Sequence, residues 1–367
     1  MTVTAIPKAG LAAGRVPEAR ATELLRRMLE IPSPSRGEAR LAAFLVDAMS
    51  GLGLTAYVDE AGNAVGELDR GDGPTLMLLG HMDTVGGQLA VRREDGRLYG
   101  RGAVDAKGPL AAMICAAAGA QDYAGRIVVV GAVEEETPQS RGANALLRTR
   151  QPPDALVVGE PSGWSTVVLG YKGKIDLRYQ AECEPVHPSS PAPKAAELAA
   201  QAWTRLLELL GPDAGHHAFD HPGATLVSIS GDPARAEAQF DVRIPPGFDV
   251  DGFVDRLRGR IGAGRLDVVH TVRACRADRR NDVVRALTAA IREQHGQPRM
   301  KVKTATSDMN TLAESWDVPM ATYGPGDSRL DHSDREHIVI ADYHRGIAVL
   351  TRALAELGPP RRTDAVR

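Results

Sequence analysis

At 367 residues the chain is long for one domain and suits two, with ample length to bury a core. Its 43% hydrophobic and 25% charged residues are those of an ordinary globular protein. With 44 basic against 47 acidic side chains the formal charge is −3, which favours neither nucleic acid nor an anionic membrane as a partner.

No apolar run approaches the roughly 20 residues of a membrane span. The opening MTVTAIPKAGLAAG lacks the basic-then-apolar order of a signal peptide, so the expected location is the cytoplasm. Cys115, Cys183 and Cys275 are odd in number and far apart, forming neither a CxxC pair nor a disulfide framework. Cys115, in PLAAMICAAAGA, reads as a packing residue. Any metal site must then be built from histidines and carboxylates.

In chain order, about 17 residues of loose arm come first. The apolar spacing of ATELLRRMLE predicts a helix over 18–29; IPSPSRGE breaks it, and ARLAAFLVDAMSGLG predicts a second helix. Three apolar runs, TLMLLG (75–80), IVVVGAV (127–133) and ALVVGE (155–160), read as central strands of a mostly parallel sheet. The helical segments GPLAAMICAAAGAQ and SRGANALLRTR lie between them, an alternation that predicts an α/β layer.

The texture changes after Gly170. KIDLRYQAEC alternates as an amphipathic strand, AAELAAQAWTRLLELLG is an amphipathic helix, TLVSISG and AEAQFDVRIPPG read as paired strands, and FVDRLRGRIG as another helix. The α/β texture returns near Asp282 with VVRALTAAIREQHG, a polar turn KTATSDMN and the helix YHRGIAVLTRALAEL, before a frayed tail GPPRRTDAVR. The expected organisation is an α/β domain over 1–171 and 281–367, interrupted by an α+β insert over 172–280.

Open α/β sheets bind ligands outside the carboxyl ends of their strands. Each of the three runs brings a metal-competent residue there. GHMDT carries His81 and Asp83, GAVEEETPQS carries Glu134, Glu135 and Glu136, and GEPSG carries Glu160. Between the first two, GRGAVDAKG adds Asp105. A solvated acidic loop would explain the glutamate triplet by itself. So many carboxylates on one rim, however, repel one another unless a cation lies among them.

Residues i and i+2 of an extended segment face the same side, so Asp83 is placed to accept the second ring N–H of His81 and fix the metal-binding tautomer. GRGAVD resembles a truncated GxGxxG loop, with Gly100 and Gly102 in place, but Asp105 at the third position would repel a pyrophosphate. GEPSG is no GxSxG elbow, because its serine falls one place late. His332, in DHSDREHI after the glycine-rich YGPGDSRL, reads from the residue alone as either an exposed histidine or a ligand.

GHMDT, GRGAVDAKG, EEE, GEPSG and DHSDRE, in this order and at these spacings, resemble the M20 family of metallopeptidases and amidohydrolases over about residues 20–355. The resemblance implies a zinc-peptidase-like α/β fold whose insert, 172–280, is a lid and dimerisation domain forming a homodimer. It implies two divalent metals, zinc first, with cobalt or manganese fitting the same ligands. Asp105 would bridge them, His81 and Glu160 would complete one site, and Glu136 and His332 the other. Glu135 matches the general base, Asp83 belongs with it among the catalytic residues, and Glu134 takes the place of a supporting Asp. His187, in PVHPSSPAPKAAE, matches the lid histidine that reaches the oxyanion, often from the partner subunit, with Pro188 standing where the family usually has Ser. Arg243, in FDVRIPPG, is the candidate for gripping a substrate α-carboxylate, a structural salt bridge being the other reading. Thr306, Ser307 and Asp308 would line the substrate pocket, with Asp308 suited to a distal ammonium; Ala305 replaces the usual Gly.

Within the family, DAKGP, EEE followed by SRGA, GEPSGW, LGYKGK and TSDMN are most similar to hydrolases that release lysine or ornithine from the amino-group carrier protein LysW. Acetylornithine deacetylases and succinyl-diaminopimelate desuccinylases share similar pieces. The expectation is therefore a di-metal amidohydrolase acting on a carrier's γ-glutamyl terminus. The alternatives are a small-molecule N-acyl amino acid deacylase or dipeptidase, and a non-catalytic binding protein on the same fold. Against the last stands the presence of every expected ligand and of the base. Between Asp255 and Arg280, eight arginines face three aspartates, a solvated face or a docking strip for an acidic carrier.

Overall fold

A computed structural model of the chain describes residues 15–121 and 123–358. Most of the expected arm and the tail beyond Gly358 lie outside these residues. The chain divides into two compact units, one of Met1–Leu169, Ala277–Lys301 and Ser315–Arg367, the other of Gly170–Arg276 and Val302–Glu314.

The first unit is built on strands Arg126–Ala132, Thr75–His81, Ala155–Gly159 and Met320–Thr322, which lie side by side in that order and run parallel. Ala64–Asp69 and then Thr55–Val58 extend one edge in antiparallel fashion. The three long central strands are almost wholly buried, which is why they read as unbroken apolar runs instead of alternating ones. Helix Lys107–Gly119 is buried from Lys107 to Ala118, so its alanine-rich sequence carries no polar stripe. It reaches the sheet closely because two strands carry glycine at or next to their last residue: a Cβ on Gly80 would stand 3.2 Å from Leu110 Cβ, and one on Gly159 2.8 Å from Met113 Sδ.

Helix Arg141–Thr149 abuts the end of Arg126–Ala132 more tightly still. The Gly142 N–H donates to the Val133 carbonyl at 3.0 Å, and a Cβ on Gly142 would meet the Val133 backbone at 2.7–2.8 Å. Buried Asn63 locks the junction, accepting the Val133 N–H at 3.1 Å and donating to the Gly142 carbonyl at 3.2 Å. A small sheet of Arg92–Glu94, Arg97–Tyr99 and His337–Val339 brings the chain before Asp105 beside the chain after His332.

The second unit is a four-stranded antiparallel sheet in the order Gly223–Gly231, Arg235–Ile244, Gly173–Glu182, Arg265–Val272. Alternation along KIDLRYQAE sends Ile175, Leu177 and Tyr179 into a core shared with Phe240, Val242 and helices Ala195–Leu210 and Val250–Arg258. Lys174 and Asp176 take the opposite face. Val302–Glu314 joins this unit through Asn310, whose amide donates to the carbonyls of Lys172 at 3.0 Å and Arg273 at 2.8 Å. Among the described residues no helix is long and apolar enough to cross a membrane.

Candidate metal centre

The carboxyl ends of the three central strands carry His81, the glutamate triplet and Glu160, side by side in the first unit. His81 is 1% exposed. Its Nδ1 lies 2.9 Å from the carbonyl oxygen of Asp83, which can only accept, so Nδ1 carries a proton and donates it. Nε2 then faces Asp105 Oδ1 at 3.1 Å and Glu160 Oε1 at 3.6 Å.

The nearer partner of His81 is thus the main chain of Asp83; the carboxylate expected in that role lies at 3.4 Å. That carboxylate collects donors from elsewhere: Ser35 Oγ at 2.8 Å and the backbone N–H groups of Glu135 and Glu136 at 3.0 Å each. Burial pushes the Asp83 carboxyl up, but its bonds from His81, Ser35 and the Glu136 N–H hold it below the ordinary range. Asp83 therefore fixes where the triplet leaves the sheet.

Asp105 spans the cluster. Its Oδ1 meets His81 Nε2 and its Oδ2 meets His332 Nε2, each at 3.1 Å, and His332 Nε2 is also 2.9 Å from Glu136 Oε1. Three triads bring one donor atom each within 4.8 Å of one another: His81, Asp105 and Glu160; His81, Glu135 and Glu136; and Asp105, Glu136 and His332. His332 adopts φ +60°, the left-handed region, to reach the cluster.

The electrostatics call for positive charge. Hydrogen bonds to Asp105 and Glu136 push His332 up to about 10. Burial disfavours charge on His81, yet Asp105, Asp83 and the neighbouring glutamates hold it well above its ordinary value. Burial acts to raise Asp105, but the two imidazoles depress it well below the carboxylate range. A neutral imidazole would turn the Nε2 lone pair toward carboxylate oxygens, which is repulsive unless a proton or a cation lies between them. Imidazole and carboxylate donors without thiolate suit zinc, cobalt or manganese. The residues fit a divalent metal.

Glu134 is not among the converging donors. It is 6% exposed, with its carboxylate 2.6 Å from Arg141 Nε and 3.5 Å from Arg36 Nε, while its N–H donates to Glu38 Oε1 at 3.1 Å. The segment IPSPSRGE, read from sequence only as a helix breaker, supplies much of this support. Ser33 Oγ donates to the Met82 carbonyl at 2.8 Å, Ser35 binds Asp83, and Glu38 binds Glu134. Glu336, inside the DHSDRE motif, also went unassigned; it is 1% exposed and accepts from Arg101 and from the main chain at Val104 and Asp105. Lys107 of DAKGP holds the end of helix Glu18–Leu29, its Nζ donating to the carbonyls of Met28 at 3.2 Å and Ile31 at 2.8 Å.

The remaining candidates belong to the second unit. His187 is exposed, and its Nδ1 accepts from the Ser189 N–H at 3.2 Å, with Ser189 Oγ at 2.7 Å. The ring proton therefore sits on Nε2. Arg243 Nε donates to Asp241 Oδ1 at 3.0 Å, and among the described residues its buried Nη1 has no hydrogen-bond partner. Ser307 caps helix Asp308–Ala313, its hydroxyl accepting the Met309 N–H; Ser307 and Asp308 are buried and Thr306 is half-buried. In the arginine-rich stretch, Arg256, Arg258, Arg265 and Arg276 pair with Asp249, Asp255, Asp267 and Asp220.

An imidazole–carboxylate cluster on the carboxyl rim of a parallel sheet defines a metal-dependent hydrolase of amide bonds, and the chain belongs to peptidase family M20/M25/M40, whose model matches residues 77–356. Over 359 residues it is 43% identical to a LysW-lysine hydrolase of Deinococcus radiodurans, covering 93% of this chain and 98% of that protein. It is 37% identical over 343 residues to a putative LysW-lysine/LysW-ornithine hydrolase of Thermococcus kodakarensis, covering 91% of each. An M20 family metallo-carboxypeptidase from Sulfolobus solfataricus shares the fold at a TM-score of 0.78 and 18% identity, over 92% of this chain and 99% of that one.

Proposed function

We propose that the chain is a two-zinc hydrolase releasing lysine or ornithine from the γ-glutamyl terminus of an amino-group carrier protein. The observation that carries this reading is the Asp105 carboxylate set between His81 and His332, with Glu160 and Glu136 beside them. The names of the relatives favour the carrier-linked substrate over a small N-acyl amino acid.

His81, Asp105 and Glu160 would hold one cation, and Asp105, Glu136 and His332 the other. The chemistry such cations supply when bound is Lewis acidity toward water and the amide carbonyl. Glu135, tethered through its N–H to Asp83, is the general base. It takes the proton of the attacking water and delivers it to the α-amine as the C–N bond breaks, leaving a γ-carboxylate on the carrier. Residues 172–280 form the lid in this reading, and His187 offers its Nε2–H to the oxyanion. Arg243 grips the α-carboxylate of the released amino acid with its remaining N–H groups, while Thr306, Ser307 and Asp308 receive the side chain and its ammonium. Strand Gly223–Gly231, at the edge of its sheet with Val227 58% and Ile229 45% exposed, suits a homodimer formed by strand pairing.

The deciding experiment is an intact-mass assay. Zinc-supplemented protein is mixed with a carrier bearing γ-linked lysine or ornithine, and with N-acetylornithine in a parallel tube. Loss of the amino acid from the carrier, with little deacetylation, is expected. An untouched carrier beside rapid deacetylation would transfer the protein to the small-molecule branch.

A further inference from the structure

We infer that Glu336 is a positioning residue that sets the spacing between Asp105 and His332, its buried carboxylate being the hub around which segment 100–105 folds. The inference rests on the metal-centre reading above. The main-chain carbonyl of Glu336 accepts the Gly100 N–H at 3.3 Å. Its Oε2 accepts Arg101 Nη1 at 2.8 Å, and its Oε1 accepts the N–H groups of Val104 at 2.9 Å and Asp105 at 3.1 Å. Arg101 adds bonds to the carbonyls of Ser333 at 3.2 Å and Gly87 at 3.3 Å. The residue that ends the His332 loop therefore grips the main chain of the carboxylate that faces His332.

An ion pair serving stability alone need only join side chains. Glu67 is such a case: its carboxylate binds Arg126, Arg150 and the Tyr57 hydroxyl. Glu336 instead commits one oxygen to main-chain groups, one of them on Asp105 itself. A buried carboxylate is tolerated only when fully hydrogen-bonded. Its removal leaves two backbone N–H groups and a guanidinium in need of acceptors. The turn would relax, and the Asp105 carboxylate with it. A glutamine keeps one oxygen for the two N–H groups but sets an NH2 against Arg101, so its effect is intermediate.

The test uses the full chain stripped of metal. Co2+ is titrated in against a competing chelator, and its visible absorption reports coordination geometry as well as affinity. Glu336→Ala should lose about 10–100-fold in Co2+ affinity, as outer supports of metal ligands do. Glu336→Gln should lose about tenfold within that range and show an altered band shape. Glu67→Gln, whose melting temperature should also fall, should bind Co2+ within about twofold of the parent, since it supports no ligand. The proposal is overturned if both Glu336 variants bind within about twofold of the parent while melting lower, as Glu67→Gln does. Should Glu336→Ala fail to fold, Glu336→Gln decides by the same criterion. A parent protein that takes up no Co2+ refutes the metal centre itself, an outcome distinct from equal binding by all variants.

Discussion

Glu134, Glu135 and Glu136 are neighbours in the chain with three different environments. Glu134 is buried against Arg141 and Arg36, Glu136 meets His332, and Glu135 is held by its main chain to Asp83. If Glu135 moves the proton, Glu135→Gln should keep the metal content and KM of the parent and lose about 10²–10⁴-fold in kcat. Metal analysis of the purified variant beside initial rates checks this, and a kcat within tenfold of the parent would assign the base elsewhere. Lys107 permits a second prediction at this scale. Burial lowers it from 10.5 to about 8 in the folded protein. Between those values the unfolded chain keeps a proton that the folded chain has lost, so this group makes stability rise with pH across the interval. In urea titrations, the unfolding free energy of the parent minus that of Lys107→Met should therefore increase from pH 8 to pH 10.5. A flat or falling difference would contradict the burial argument.

At the scale of elements, the contact of helix Arg141–Thr149 with the strand before the triplet has no room for a methyl group at Gly142, because the opposing atoms are the amide oxygen of buried Asn63 and the main chain of Val133. Gly142→Ala should destabilise the protein by about 1–3 kcal/mol in urea titrations and lower activity as well, since Val133 leads directly into Glu134. An unchanged midpoint would mean that the helix can slide. The same junction shows what can be read in sequence. Strands Thr75–His81, Arg126–Ala132 and Ala155–Gly159 were legible because burial on both faces writes a continuous apolar run. Met320–Thr322 has three residues, and Thr55–Val58 four mostly exposed ones, too few for any period to register. His81, Glu160 and the glutamate triplet stood out because metal-competent residue types recur where strands end, whereas His332 read equally as an exposed histidine, and its pairing with Asp105 and Glu136 was expected only from the family resemblance. Ser35, Glu38 and Glu336 act through hydrogen bonds to residues far away in the chain, and no local pattern records such bonds.

At the scale of the molecule, every member of the metal-competent triads lies in the first unit. Metal should therefore stabilise that unit selectively. In scanning calorimetry, free divalent cation at 100 times its dissociation constant should add about 2.7 kcal/mol to the unfolding free energy of the first unit. Chelation should remove it, and the transition of the second unit should stay in place. A first-unit transition indifferent to both treatments would refute the metal centre. The division of the chain also bears on its synthesis. Gly170–Arg276 interrupts the first unit, so His81, Asp105, Glu136 and Glu160 leave the ribosome well before His332 and Glu336 do. At about 5–20 residues per second that interval is on the order of tens of seconds. Throughout it, the nascent chain presents a carboxylate-rich rim without the histidine and the buried glutamate that face it, so a metal centre that draws on His332 can be completed only after Gly170–Arg276 has been made.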